Sequence, residues 1–426
     1  MNEPDRAGRL DVLTFGCRLN AVESEAIRRA AAGGTDDLVI LNTCGVTAEA
    51  VRQAKQTIRR VRREQPTARI VVTGCAAQIE PETFADMPEV TQVVGNAEKT
   101  RPQTWTSLSQ SLREGERTRV SDIMRAHANA PFFFGTSAVD SIEGQTRAFV
   151  EVQTGCDHRC TFCVIPYGRG PSRSAPAAEV VAQVRGLLEN NYREIVLTGV
   201  DITSWGHDLP GSPKLGALVK QILREAPDLK RLRLSSIDCI EADGDLLDAA
   251  ATEPRFMPHL HLSLQAGDDM ILKRMKRRHS RDEAISFCAD LRALRPDMVF
   301  GADVIAGFPT ETEDMFQRSL DLVEECGLTH LHVFPFSPRA GTPAARMPQV
   351  DRAVAKERAA RLRERGSTAL KAHLDRQVGR SLQVLTERGG LARTQDFTPV
   401  RLPRETPHGQ FLGVRIRSHD NRELLP

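Results

Sequence analysis

Short apolar runs alternate with longer stretches whose apolar residues recur at helical spacing, and this alternation fills two separate parts of the chain. Between about residues 10 and 100 the runs are VLTF (12–15), LVILN (38–42), RIVVTG (69–74) and TQVVG (91–95). The first precedes the helical pattern AVESEAIRRAA, the second VTAEAVRQAKQTIRRVRRE, and the third a segment after Pro81. Strands that alternate with helices predict a parallel sheet covered by those helices. Residues 125–146, RAHANAPFFFGTSAVDSIEGQT, have neither period and read as a linker. From 147 the alternation resumes with FVEVQ (149–153), EIVLTG (194–199), RLRLSS (231–236), HLHLSLQ (259–265), FGADVIAG (300–307) and HLHVFPF (330–336). Six β/α units predict a partial (β/α)6 barrel, since a closed one has eight. Residues 343–376 are helical and basic, and short strand patterns in GRSLQVLTERGG, FTPVRLP and FLGVRIR predict a small C-terminal β-barrel. The expected class is α/β, divided at 1–124, a linker 125–146, 147–376 and 377–426.

Composition narrows this little. The chain has 426 residues, enough for two or three cores, and its formal charge of +2 excludes a polycation. RNA or DNA contact would therefore depend on local basic clusters, of which KRMKRRHSR (273–281) is the first choice and Arg59–Arg63 reads as a solvated helix face. The polar start MNEPDRAGRL and the lack of a long apolar run predict a cytoplasmic protein with no membrane partner. Reduced thiols are expected there, so nine cysteines read as metal ligands and buried thiols.

Six of the nine form two trios. Cys156, Cys160 and Cys163 crowd one polar, glycine-rich loop after the strand FVEVQ. Structural zinc asks for four protein ligands. Three thiolates suit a four-iron cluster that leaves one iron open to a cofactor or substrate. Cys17, Cys44 and Cys75 are far apart in sequence, yet each follows a strand and precedes a helix, so a parallel sheet brings their loops to one edge. Helix N-termini there favour thiolate. Taken singly, each of these three could be a small residue at a tight strand end. Cys239, Cys288 and Cys326 lie in apolar or helical stretches and read as core thiols. His259 and His261 share one side of a strand and read as structural histidines.

The loop CDHRCTFC resembles that of the radical S-adenosylmethionine (SAM) superfamily, and the pattern GC…NTC…GC with IPYGRGPSRS resembles the methylthiotransferases over essentially the whole chain. The resemblance implies two [4Fe-4S] clusters, one on each trio, and SAM bound at the open iron of the second. It implies an N-terminal methylthiotransferase domain, a radical SAM core and a TRAM-like RNA-binding module. By the same resemblance Phe162, Gly199, Gln265 and Asp303 contact SAM, with no catalytic residue beyond the cluster ligands. The segments TFGCRLNAVESE, NTCGVTAEAVRQAKQTIRR and VVGNAEK are most similar to enzymes that methylthiolate carbon 2 of N6-threonylcarbamoyladenosine at position 37 of tRNA. The implied partners are a tRNA anticodon stem-loop, an electron donor and a sulfur source, the last two not identifiable from sequence. Two other targets stay open within the family: isopentenyladenosine in tRNA and an aspartate of a ribosomal protein. A non-catalytic iron–sulfur protein that binds RNA is the alternative outside it.

Overall fold

In a computed structural model of the chain, residues 9–32, 37–99, 101–108, 115–125 and 146–426 are described. All of the 125–146 linker except its two ends lies outside them. Two compact units emerge: residues 1–139 with 153–173 and 337–342, and residues 140–152, 174–336 and 343–426.

The first unit is built on five parallel strands in the order β1-β2-β3-β4-β5, Leu10–Thr14, Leu38–Thr43, Arg69–Gly74, Gln92–Val94 and Thr118–Arg119. The last was not evident in the sequence, being two residues long. Every position of β2 is buried, because this interior strand packs on both faces. Val39 and Leu41 face a core with Ile58 and Val61 of α2 (Ala48–Glu64), whereas Ile40 and Val71 face Ile27 of α1 (Arg18–Ala30) and Trp105. The strand period of two thus feeds two cores from one apolar run. Short helices α3 (Cys75–Ile79), α4 (Pro81–Ala85), α5 (Asn96–Lys99) and α6 (Pro102–Thr106) complete the sheet's cover. The segment 153–173 belongs to this unit and ends in α7 (Ile165–Arg169).

The second unit carries the partial barrel: β6 (Arg147–Glu151), β7 (Glu194–Thr198), β8 (Arg231–Leu234), β9 (Ser236–Ile237), β10 (His259–Gln265), β11 (Val299–Ala306) and β12 (Leu328–Pro335). These form parallel sheets ordered β8-β7-β6 and β9-β10-β11-β12, with the break between β8 and β9 at Ser235. Helices α8 (Ala177–Glu189), α9 (Leu215–Glu225), α10 (Gly244–Thr252), α11 (Asp269–Met275), α12 (Arg281–Leu294) and α13 (Glu313–Glu325) lie between the strands in sequence. Ser280 and Glu283 start α12 with a reciprocal capping box, worth about 1 kcal/mol. The long basic helix α14 spans Arg352–Asp375 rather than all of 343–376. Pro343 and Pro348 interrupt the ladder, and the Asp351 carboxylate accepts from the backbone N–H groups of Ala353 and Val354, fixing the start there.

The C-terminal sheet has six strands, β13 (Ser381–Thr386), β14 (Leu391–Thr394), β15 (Pro399–Arg401), β16 (Phe411–Arg415), β17 (Ser418–His419) and β18 (Leu424–Leu425), in the order β16-β13-β14-β15-β18-β17. It curls into a half-barrel around Val384, Ala392, Val400 and Ile416, and α14 adds Leu374 to that core. An ionic knot fixes this sheet to the N-terminal ends of the barrel strands. Fully buried Glu194 pairs with Arg147 and, at 2.9 Å, with Arg233, while Arg231 donates to the carbonyls of Gln383 and Arg393. Burial alone would raise the Glu194 carboxyl, but Arg233 and Arg147 outweigh it and hold it at about 2. The Phe397 ring takes the guanidinium groups of Arg393, Arg147 and Arg233 at 4.3, 5.0 and 5.1 Å.

Candidate cluster and cofactor site

Both cysteine trios fall in the first unit. Cys17 occupies the N-cap of α1, Cys44 follows β2, and Cys75 opens α3 directly after β3. The parallel register places these ends together: Thr14 pairs with Asn42, and Thr43 with Gly74. Gly16, at φ +90°, lies against Cys44, and a Cβ there would collide with the Cys44 side chain. The thiols share one electrostatic neighbourhood, since Cys75 acts on both Cys17 and Cys44. Here the structure corrects an expectation. Burial pushes Cys44 up to about 11 and raises Cys17, against Arg169, which lowers both, so a place before a helix does not by itself make these two thiols thiolates. Deprotonation is left to a bound metal, which replaces the thiol proton.

Around this trio lies a buried polar network that the sequence reading did not anticipate. Glu23 on α1 accepts from Arg169 at 2.9 and 3.1 Å and from Lys99 at 2.7 Å. Arg169 also donates to Asn20 Oδ1 at 2.8 Å. Asn20 in turn donates to the carbonyls of Phe15 and Thr43, and Asn42 donates to the Asn20 carbonyl and to Ser24. Burial would raise the Glu23 carboxyl, but the two cations hold it at about 2. Part of the signal was present: Asn20 and Glu23 are polar residues one turn apart on a helix face that must be covered, whereas nothing local marks Lys99.

The second trio sits on the loop before α7. The Cys156 N–H donates to the Gly170 carbonyl and the Cys163 N–H to the Cys160 carbonyl, both at 3.0 Å, and the Ile165 N–H points at Cys163 Sγ from 3.4 Å. Gln153 ties the loop base to Thr154, Gly155 and Ser172. Helix α7 links the trios. It begins two residues after Cys163, and its end carries Gly168, whose carbonyl accepts from Asn96, and Arg169 of the Glu23 network. Asn96 Nδ2 also lies 3.7 Å from Cys75 Sγ.

Of the residues expected at SAM, Phe162 lies half-buried on this loop in the first unit, and Gly199, Gln265 and Asp303 lie in the second. Gly199 follows β7 directly. Gln265 ends β10 after a register break, with φ +70°, a left-handed conformation costly for a side-chain-bearing residue and concentrated at functional sites. It pairs with Val304, beside Asp303. The Asp303 carboxylate is shared by His261 and His332, so His261 is engaged with an anion, not merely packed. Cys239, Cys288 and Cys326 are buried, as core thiols should be.

In the favoured basic run the arginines have partners within the fold, whereas Lys273 and Lys276 are exposed. Arg277 and Arg278 bind Asp238 at 2.9 Å, Arg274 donates to Thr310, and Arg281 pairs with Glu325. By contrast Arg59 and Arg63 on α2 are exposed, with no acidic partner among the described residues.

Residues 150–323 match the Radical SAM superfamily, and residues 9–95 match the uncharacterized protein family UPF0004. The threonylcarbamoyladenosine tRNA methylthiotransferase MtaB of Rickettsia prowazekii is 48% identical over 409 residues, 96% of this chain and 94% of that protein. The chain belongs to the radical SAM methylthiotransferase family. A Thermotoga maritima protein of the same name is 34% identical over 95% of this chain and 93% of its own length. A tRNA-2-methylthio-N(6)-dimethylallyladenosine synthase of Cereibacter sphaeroides is 36% identical over 90% of this chain and 88% of its own. Among solved structures, the radical SAM methyltransferase TsrM of Kitasatospora setae aligns at TM-score 0.53 and 14% identity, over 79% of this chain and 74% of that one, a likeness of fold alone. Within this family the two trios acquire a common meaning. Their donor chemistry, three thiols each, fits four-iron clusters better than structural zinc, which asks for four protein ligands.

Proposed function

We propose that this chain methylthiolates carbon 2 of N6-threonylcarbamoyladenosine at position 37 of tRNA, docking the anticodon stem-loop. The carrying observation is that two cysteine trios share one compact unit and are joined through α7. In this reading Cys156, Cys160 and Cys163 hold one [4Fe-4S] cluster and Cys17, Cys44 and Cys75 the other. The bound cofactors supply a SAM-binding iron, an electron for SAM cleavage and a second open iron for sulfur, which an unactivated C–H bond requires and acid–base side chains cannot replace.

The chain's own residues do the rest. Phe162, Gly199, Gln265 and Asp303 are assigned to SAM. Arg169, neutralised in part by Glu23, sets a fixed positive charge beside Cys17 and Cys44, which opposes the negative charge of ligating thiolates, and Lys99 holds Glu23 in place. The division at 1–124, 125–146, 147–376 and 377–426 belongs to the same proposal, with the last segment as the RNA-binding module.

Nucleoside mass spectrometry of tRNA from a deletion strain tests the target. Loss of 2-methylthio-N6-threonylcarbamoyladenosine, restored by the wild-type gene, is expected. If that nucleoside persists while the 2-methylthio isopentenyl form disappears, the target is the other adenosine. Iron analysis tests the ligands: Cys44→Ala and Cys156→Ala should each remove about four iron atoms and leave the other cluster in place. Equal iron in all three proteins defeats the assignment.

A further inference from the structure

Three adjacent parallel strands of the barrel bring one donor each to a common patch. His261 is on β10, Asp303 on β11 and His332 on β12. Nε2 of His261 lies 3.0 Å and Nδ1 of His332 lies 3.2 Å from Oδ1 of Asp303, and all three donor atoms fall within 4.8 Å of one another. The two rings tilt toward each other with centroids 4.5 Å apart. Strand register explains the convergence. Asp303 stands opposite His332, whereas His261 stands opposite Gly301. A Cβ at Gly301 would come within 2.7 Å of His261 Nδ1, so the bare backbone lets that ring lie over β11 and reach the diagonal carboxylate.

Charge separates this patch from a similar one. Asp238, Cys239 and His279 also cluster within 4.8 Å, but Arg277 and Arg278 already neutralise Asp238 at 2.9 Å each. A cation would gain little there. Asp303 faces two imidazoles and no Lys or Arg pairs with it among the described residues. Burial alone would raise its carboxyl, but the imidazoles outweigh that and hold it well below the usual carboxylate range. With neutral histidines the patch is anionic.

We propose that His261, Asp303 and His332 form a binding site for a divalent cation of the zinc type, one that uses no cysteine as a donor. Imidazole and carboxylate are the donors such ions take, at roughly 2.0–2.1 Å, which in a tetrahedral site puts donors about 3.3 Å apart. The two histidine–carboxylate separations, 3.0 and 3.2 Å, need to change by only a few tenths of an ångström, and the exposed His332 ring closes the third, between the two imidazoles, by turning. Three protein donors leave a coordination position open for an oxygen ligand, water or a carboxylate. Asp303 Oδ2 remains for the SAM contact assigned above. The site needs neither SAM nor RNA to fill.

The test uses the full chain, reconstituted anaerobically so that iron occupies the thiols, with Zn2+ added against a weak chelator. Wild-type protein should retain a single zinc, with an X-ray absorption edge spectrum showing nitrogen and oxygen donors at roughly 2.0–2.1 Å. Asp303→Asn and His332→Ala should weaken retention by about tenfold or more. Iron content, unchanged in both variants, reports an intact fold, and His332, more than half exposed, is the gentler change. Failure of the wild type to retain zinc overturns the proposal. So does sulfur at roughly 2.3 Å in the spectrum, or equal retention by both variants.

Discussion

Glu23 shows how one carboxylate can decide the geometry of a site. It is buried with Arg169 and Lys99, and removing either cation leaves an imperfectly compensated charge away from water. Arg169→Leu should cost about 3–5 kcal/mol in denaturant unfolding, far more than loss of an exposed pair. Glu311 is a second buried acid, and its effect runs the other way. Burial pushes it up to about 7 despite Arg358 at 3.0 Å, and its Oε1 is buried with no hydrogen-bond partner. The folded chain therefore keeps a proton that the unfolded chain loses near its ordinary value of 4.5. Stability from this group is full below about pH 4.5 and is lost as pH rises through about 7. Melting temperatures of wild type and Glu311→Gln across that window should diverge, with the wild type losing ground toward alkaline pH.

At the scale of elements, His259, His330 and His373 form a ladder beneath the C-terminal sheet. His330 lies 5.7 Å from His259 and 6.2 Å from His373, ring centre to ring centre, and His259 stacks on Phe397 at 5.3 Å. Burial, then the nearby His373, depresses His330 to about 4. Its folded value lies below the ordinary 6.5, so stability is lost as pH falls from about 6.5 toward 4. His330→Leu should reduce that acid sensitivity, measured as a lower midpoint pH of unfolding. Such pairings show why elements were more legible than contacts. RIVVTG and HLHLSLQ delimit strands to the residue, because apolar runs ended by glycine or a polar turn have few alternatives. The meeting of the loops that carry Cys17, Cys44 and Cys75 was legible for the same reason, since strand–loop–helix order forces those loops to one sheet edge. The Glu23–Arg169 pair joins residues 146 positions apart, and no local period encodes it. The ion pairs of KRMKRRHSR are hidden from the sequence for that reason too: its arginines meet acids and a hydroxyl on other elements.

On the scale of the whole molecule, no described helix is long and apolar enough to cross a membrane. A tRNA substrate needs cationic side chains free to meet phosphates, and α2 offers Arg59 and Arg63 along one helix stripe with Lys55. Converting Arg59 and Arg63 to alanine should weaken tRNA binding and flatten its salt dependence by about one unit of log–log slope per arginine. Filter binding from low to high salt reads this directly. An unchanged slope would place the RNA elsewhere.

The segment 153–173 has a consequence for how such enzymes can be rebuilt. It lies within the span matched as radical SAM core, yet it packs with the N-terminal sheet through Asn96, Asn20 and Glu23. The core is therefore not a spare part. A fragment starting at residue 147 should express without a stable iron loop, and chimaeras that swap the first hundred residues between relatives should work only where α7 and its new neighbours came from the same parent.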